Sequence, residues 1–461
     1  MIPNPATAPT RRRLSRERDG RPAAPVRIAH LGPGNFFRAH QAWYTEHAPD
    51  AAQWGIAAFA GRSGATTHDL AGQDGLYTLV VRAADGDRPE VVSALSTVSS
   101  ELADWRRCFG EPGLAVVTTT VTEAGYRRAG DGGLDRADPE VAADIAALRA
   151  GGPDAVVGTS PGKLVLGLAE RRARTLPGLA VVPCDNVPDN GPMVARVVGE
   201  LAAAVDPALA DWIEERISFV TTMVDRITPR STDDDRASLS AATGVDDPAP
   251  VVTEPYTEWV LVGEFPQGRP RWEDAGARFV DDIEPWELRK LWLLNGSHSL
   301  LAYAGSIRGH QTVHQAIEDP VLRGWVEQWW DDAAPHLPLP AADIAAYRSA
   351  LLQRYANPRI RHLLGQIAAD GSQKLPIRIL PTVRAARADG HVPTGAARVL
   401  AAWVCHLRGA GAPVADVAAA EFTALAAGDL DDAVGRVLSR IGADDEQLRR
   451  TVTELAGELE G

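Results

Sequence analysis

Cysteine is scarce in this chain of 461 residues. Cys108, Cys184 and Cys405 are scattered, without metal-ligand spacing and too few for a disulfide framework. A reducing cytoplasm is therefore the expected setting. Positive charge is the minority sign, with 47 basic against 61 acidic side chains and a formal net charge of -14. No basic stripe offsets the acidic stretches, which argues against nucleic acid as a partner. Long apolar runs are missing too, so neither a signal peptide nor a membrane span is expected. No internal repeat of solenoid period occurs. What is present, 45% hydrophobic and 23% charged residues, is ordinary globular composition in a chain long enough for two domains.

The texture changes once along the chain. Residues 1–23, with "TRRRLSRERDGRP", read as a flexible leader. Residues 24–284 alternate short apolar runs with helical segments and Gly/Pro punctuation, as in an α/β, Rossmann-type domain. The candidate strands are "VRIAHL", "WGIAAFA", "GLYTLVV", "LAVVTTTVT", "LAVVPC" and "ISFVTTMV", and the tract "STDDDRASLSAATGVDDPAP" reads as a polar, turn-rich excursion. Over residues 285–461 the apolar residues recur at helical spacing, for example in "AARVLAAWVCHLRG", which predicts a mostly α-helical C-terminal domain.

"VRIAHLGPGNFFRAH" reads as a buried strand, a turn at Gly32 and Gly34, and a helix entered through Asn35 and Phe36. Such a turn lets the backbone approach a pyrophosphate. Phe37 stands where the third small residue of a dinucleotide fingerprint would be. The second strand runs into Gly61, Arg62 and Ser63 without the acid that would bind a ribose 2′-hydroxyl. Arg62 either pairs with a 2′-phosphate or covers the adenine face, and the two readings leave the choice between NAD and NADP open.

Three further runs end in polar residues, and ligands of open parallel sheets sit beyond the carboxyl ends of strands. "TTTVTEAGY" delivers Glu123, counted with the cofactor's residues; "LAVVPCDN" delivers Asp185 and Asn186; "SFVTTMVDRITP" delivers Asp225. In "ELRKLWLLNGSHSLLAY" three polar side chains interrupt an apolar segment. On a uniform α-helix, Glu287, Lys290, Asn295 and His298 fall at about 60°, 0°, 140° and 80°, within one arc. A lysine held among apolar neighbours loses hydration of its charged form, which makes its amine available as a base.

The segments "HLGPGNFFRAHQAWY", "VTEAGY", "CDNVPDNG", "MVDRITP", "KLWLLNGSHSLLAY" and "DGSQKLP", in this order, resemble those of the polyol-specific long-chain dehydrogenases, which include mannitol 2-dehydrogenases and fructuronate reductases. The resemblance implies a nicotinamide-binding N-terminal domain, with NAD as the expected cofactor and NADP possible, a helical C-terminal domain and no catalytic metal. It implies Lys290 as general base, Asn186 and Asn295 at the oxyanion, and His298 orienting substrate, with Asp225 and Glu287 in support. Relatives commonly carry His at the position of Phe37. Lys374 matches a lysine that contacts substrate, while Gln366 stands where mannitol-type members carry arginine and uronate-type members look more like this chain. Lys374 and Arg378, four apart, could present two cations to one carboxylate.

The expected reaction interconverts a secondary alcohol of a sugar alcohol, mannitol, arabinitol or similar, with its ketose. Fructuronate or tagaturonate reduction is the alternative. A mannitol-phosphate dehydrogenase or a non-catalytic sugar-binding relative ranks behind both. The Lys-x4-Asn-x2-His spacing separates the chain from hydroxyacid dehydrogenases that also join a Rossmann domain to a helical one. The expected partners are a small-molecule polyol, ketose or uronate, and the expected species is a monomer or weak homo-oligomer.

Overall fold

Short β-branched runs pair into one six-stranded parallel sheet in the first of the chain's two units, Met1–Ile283 and Glu284–Gly461. The computed structural model describes residues 12–61, 64–152 and 155–460. In spatial order the strands are Leu95–Ser99, Gly55–Phe59, Val26–Leu31, Val116–Thr119, Ala180–Pro183 and Ser218–Phe219. Numbered along the chain this is 3-2-1-4-5-6, the doubly wound order with its reversal beside the first strand. Alternation puts Ile28, Ile56, Val116 and Val182 into one core, while Ala29, Leu31, Phe59, Val117 and Val181 enter the other. The sheet is thus buried on both faces, as crossover helices require.

Two of the candidate strands form but do not simply add to this sheet. "GLYTLVV" lies outside this sheet: Tyr77–Ala83 pairs with Gly86–Val92 and Val251–Thr253 in a separate three-stranded sheet. "ISFVTTMV" divides at Val220. Ser218–Phe219 ends the parallel sheet, and Thr221–Asp225 pairs antiparallel with Glu258–Val262. The third parallel strand, Leu95–Ser99, is mostly polar and only partly buried, so its hydrophobic signal is weak.

The polar tract after Arg230 also holds a helix, Asp233–Thr243. Thr232 and Asp235 close a reciprocal capping box at its start, and Gly244 ends it in a left-handed conformation. Nor is the leader loose from Arg12 onward. Leu14 packs against Leu76 and Val245, and Arg16 donates to the carbonyls of Arg21 and Ser93.

The second unit contains no named strand among its described residues. Its central helix, Thr394–Leu407, is apolar on nearly every side and packs against Pro320–Ala333 and Glu446–Glu460. Helix starts follow from their sequences: Asp319 accepts from Val321 N ahead of Pro320, and Thr312 forms a capping box with Gln315. Among the described residues, no helix is long and apolar enough to cross a membrane.

Candidate active site

Gly32 ends the first strand with φ +96, and a Cβ there would stand 2.4 Å from the Thr120 carbonyl oxygen. No other residue fits that conformation without strain. The ring of His30 lies beneath the turn. Its Nε2 is 3.0 Å from the Gly32 carbonyl oxygen, and its Nδ1 is 2.8 Å from Thr118 Oγ1. Burial pushes its pKa down to about 3, so the imidazole stays neutral. Phe37 stacks on it, with centroids 3.4 Å apart. The residue replacing the third fingerprint glycine therefore fills the space over His30 and is fully buried.

Above the turn is a cleft of about 300 Å³, lined among others by Gly32, Gly34, Gly61, Thr120, Thr122 and Thr159. Small side chains and backbone dominate this wall, leaving room for a dinucleotide's phosphates. A Cβ on Gly34 would have nothing nearer than 3.9 Å. The helix after the turn is short, Asn35–Ala39, and the backbone breaks at His40 before Gln41–His47. Asn35 uses its side chain internally, donating to the Pro229 carbonyl and accepting from Arg38, so only its backbone is available to a ligand. Phe36 packs on the core and stacks on His40. Arg62 lies outside the described residues. Glu123 does not line this cleft; its side chain is exposed and lies 3.6 Å from Arg128.

The sequence reading missed the far wall. Ser160–Ala173 is a 14-residue helix whose N-cap, Thr159, accepts from Gly162 N at 3.0 Å. Asp144 fixes that entry by accepting from Gly158 N and Thr159 N. Lys163 then donates to the carbonyls of Ala60 and Gly61, tying the end of the second strand to this helix. The available signal was "GTSPGK", a hydroxyl cap with Pro161 just inside the helix.

Asp185 and Asn186 follow the fifth parallel strand. Asp185 is buried and turns inward, accepting from Val121 N at 2.5 Å and from the Tyr126 hydroxyl. Burial raises its pKa to about 7 against those hydrogen bonds. Asn186 is exposed at the strand end. Asn190 stitches the region together, donating to the carbonyls of Asp185 and Thr222. Asp225 is buried, but it sits in the small antiparallel sheet opposite Glu258, not at the parallel sheet's edge.

In the second unit the Lys290 segment is not a uniform α-helix. Glu284–Arg289 is α-helical, Lys290–Gly296 is π-helical, Ser297–Leu300 returns to α, and Leu301–Gly305 is again π. The angles expected at 100° per residue therefore do not hold across Lys290 and Asn295. Glu287, one turn before Lys290, is partly buried. His298 is buried, its ring 5.0 Å from His362 and 5.1 Å from Tyr355. Burial holds its pKa well below the usual value, and no hydrogen-bond partner among the described residues meets its Nε2.

Lys374 and Arg378 share the helix Gly371–Arg378, yet each donates to a different place. Lys374 Nζ meets the Ile367 and Ala369 carbonyls, and Arg378 Nη1 meets the Asn295 carbonyl at 3.2 Å and Ser299 Oγ at 3.1 Å. Burial lowers the pKa of both. Gln366 is exposed and lines a surface depression with His310 and Arg361. No group of three or more His, Cys, Asp or Glu among the described residues could hold a metal.

Comparison with known proteins matches residues 26–274 to the mannitol dehydrogenase Rossmann domain and residues 282–459 to the mannitol dehydrogenase C-terminal domain. The chain is 37% identical to D-mannonate oxidoreductase of Escherichia coli (strain K12), over 83% of this chain and 80% of that one. It is also 37% identical to D-arabinitol 4-dehydrogenase of Ralstonia nicotianae (strain ATCC BAA-1114 / GMI1000), over 84% of each. Among solved structures it resembles Pseudomonas fluorescens mannitol 2-dehydrogenase in ternary complex with NAD and D-mannitol, with a TM-score of 0.78 and 32% identity over 95% of this chain and 92% of that one. With a glycine turn and cleft in its first domain, Lys290, Asn295 and His298 on one helix of its second, and both family domains matched in order, the chain belongs to the mannitol dehydrogenase family.

Proposed function

We propose that the protein is an NAD-dependent oxidoreductase that interconverts a secondary alcohol of a sugar alcohol with its ketose. The single observation that carries this reading is the pairing of a dinucleotide-type cleft over Gly32 with the Lys290, Asn295 and His298 set in a chain matched by both family domains. NAD, when bound, accepts or returns the hydride. Gly32, Gly34 and the backbone of Asn35 would hold its phosphates.

Lys290 takes the hydroxyl proton during oxidation and returns it during reduction, with Glu287 helping to relay it. Asn186 and Asn295 donate amide hydrogens to the oxygen as negative charge develops. His298 orients the substrate, and Asp225 supports the polar network. A positioned base contributes roughly 10²–10⁴-fold in rate. Amide donors preset at the oxyanion contribute roughly 10²–10³-fold. The protein works as a monomer or weak homo-oligomer in the cytoplasm, which sedimentation of the purified protein and fractionation of the source cells would check.

A second reading is favoured by one observation: neither Lys374 nor Arg378 forms an ion pair with a carboxylate among the described residues. Two half-buried cations with no carboxylate in direct contact, Asp370 and Asp416 acting on Lys374 only from a distance, suit an acidic sugar, with Gln366 in place of an arginine, and the D-mannonate oxidoreductase relative acts on such a molecule by its name. Turnover with NAD and NADP on mannitol, arabinitol and mannonate tests both readings. Activity on a neutral polyol supports the first, and activity on mannonate alone replaces it with the second. No turnover on any polyol or aldonate would refute both.

A further inference from the structure

Lys290 and Asn295 are five residues apart, and that spacing is awkward on an α-helix. Five steps of 100° leave them about 140° apart around the axis. In a π-helix the repeating hydrogen bond runs from residue i to i+5, so residues five apart lie about one wide turn apart and much closer around the axis than on an α-helix. Lys290–Gly296 is π-helical over that interval, which brings the base and the amide donor onto one side.

Such wide turns are rare and mostly confined to single turns inside α-helices, so contacts from neighbouring elements bear on whether one persists. Four consecutive carbonyls receive such contacts. Trp329 Nε1 donates to Trp292 O at 2.9 Å, and Trp330 Nε1 donates to Leu293 O at 2.9 Å. The Tyr355 hydroxyl lies 3.3 Å from Leu294 O and 2.7 Å from Ser297 Oγ. Arg378 Nη1 reaches Asn295 O at 3.2 Å. These donors come from three separate helices, Pro320–Ala333, Ala341–Tyr355 and Gly371–Arg378. Both tryptophans are fully buried. Gly296 permits the approach, since a Cβ there would stand 2.7 Å from the Trp329 ring.

We propose that Trp329, Trp330 and Tyr355 are positioning residues, which hold the Lys290–Gly296 turn in its wide form and so set the relative aim of Lys290 and Asn295. The inference rests on the catalytic reading of Lys290 and Asn295. None of the three needs to touch substrate or cofactor. Each supplies a hydrogen bond to a carbonyl that a relaxed α-helical segment would satisfy internally.

The test is steady-state kinetics of polyol oxidation with NAD for Trp330→Phe and Tyr355→Phe, each across pH, with thermal unfolding measured in parallel. Tyr355→Phe removes a single oxygen and serves if the tryptophan variant does not fold. Misplacement of catalytic groups by about 1 Å costs on the order of 10²-fold. We expect kcat to fall by about 10-fold or more, with KM for NAD unchanged and the acidic limb of the pH profile, where the rate rises as the base loses its proton, displaced. A folded variant with wild-type kcat and pH profile overturns the proposal. So does a loss of kcat that only tracks lost thermal stability with the profile unmoved, because a packing defect would give that result. Lys290→Ala run alongside separates the two levels. If it retains turnover, the catalytic reading fails; if it abolishes turnover while both positioning variants behave as wild type, only the positioning fails.

Discussion

His30 should make the first domain sensitive to mild acid, and replacing it with glutamine should remove that sensitivity. The imidazole is fully buried between Thr118 and the Gly32 carbonyl and stacked on Phe37. Its pKa in the fold is about 3 because burial disfavours the charged ring, whereas the unfolded chain binds the proton near the ordinary value of 6.5. A depressed folded pKa means that the stabilisation is present above about pH 6.5 and is lost as pH falls toward 3. Each unit of pH well inside that window changes stability by about 1.4 kcal/mol, and less near its upper end, so going from about pH 6.5 to pH 4.5 removes a little over 2 kcal/mol.

Asp185 works in the opposite direction, since its folded pKa of about 7 lies above its unfolded value. His298 and His362 act with His30 from the second domain, both being depressed by burial. The wild-type curve alone therefore mixes several groups, and the difference between wild type and His30→Gln isolates one. Equilibrium urea unfolding of both proteins at about pH 6.5, 5.5 and 4.5 reads that difference. The advantage of wild type should shrink by about 2–3 kcal/mol across the series. A difference that stays constant with pH would refute the reasoning, because it would mean that His30 is already protonated in the fold or titrates normally.

Asp185→Asn should shift stability the other way: the raised pKa makes wild type lose stability as pH climbs from about 4 through 7, and the variant should lack that loss, which the same urea series at about pH 5 and 8 would show. Gly32→Ala places a Cβ 2.4 Å from the Thr120 carbonyl and forces a positive φ on alanine, so NAD affinity measured by fluorescence titration should fall at least about 10-fold. Lys374→Met should weaken mannonate far more than mannitol if the cations face a carboxylate; equal changes in kcat/KM for the two would remove the acidic-sugar reading.

The sequence made some parts of the molecule legible and hid others for physical reasons. The parallel strands through Val26–Leu31, Val116–Thr119 and Ala180–Pro183 were visible because burial on both faces demands continuous apolar runs. Leu95–Ser99 was not, since an edge strand tolerates polar residues. "GLYTLVV" has the same composition as a sheet strand, and only pairing decides which sheet it joins. The Lys290, Asn295 and His298 set stood out because polar residues are rare in so apolar a segment. Its geometry did not, because the π-helical interval depends on donors from Trp329, Trp330 and Tyr355, which lie 33 or more positions after Trp292–Gly296 in the chain. The N-terminal end of Ser160–Ala173 carried a readable cap, whereas its place beside the cleft is a property of the fold alone.

The most direct test of the central claim is single-turnover oxidation of mannitol, or of the preferred polyol from the substrate screen, by wild type and Lys290→Ala at saturating NAD, with NAD affinity titrated in parallel. If Lys290 is the general base, the variant binds NAD as wild type does. Its hydride-transfer rate falls by roughly 10²–10⁴-fold and loses the rise with pH that deprotonation of the lysine gives wild type. A variant whose single-turnover rate and pH dependence match wild type would contradict the account.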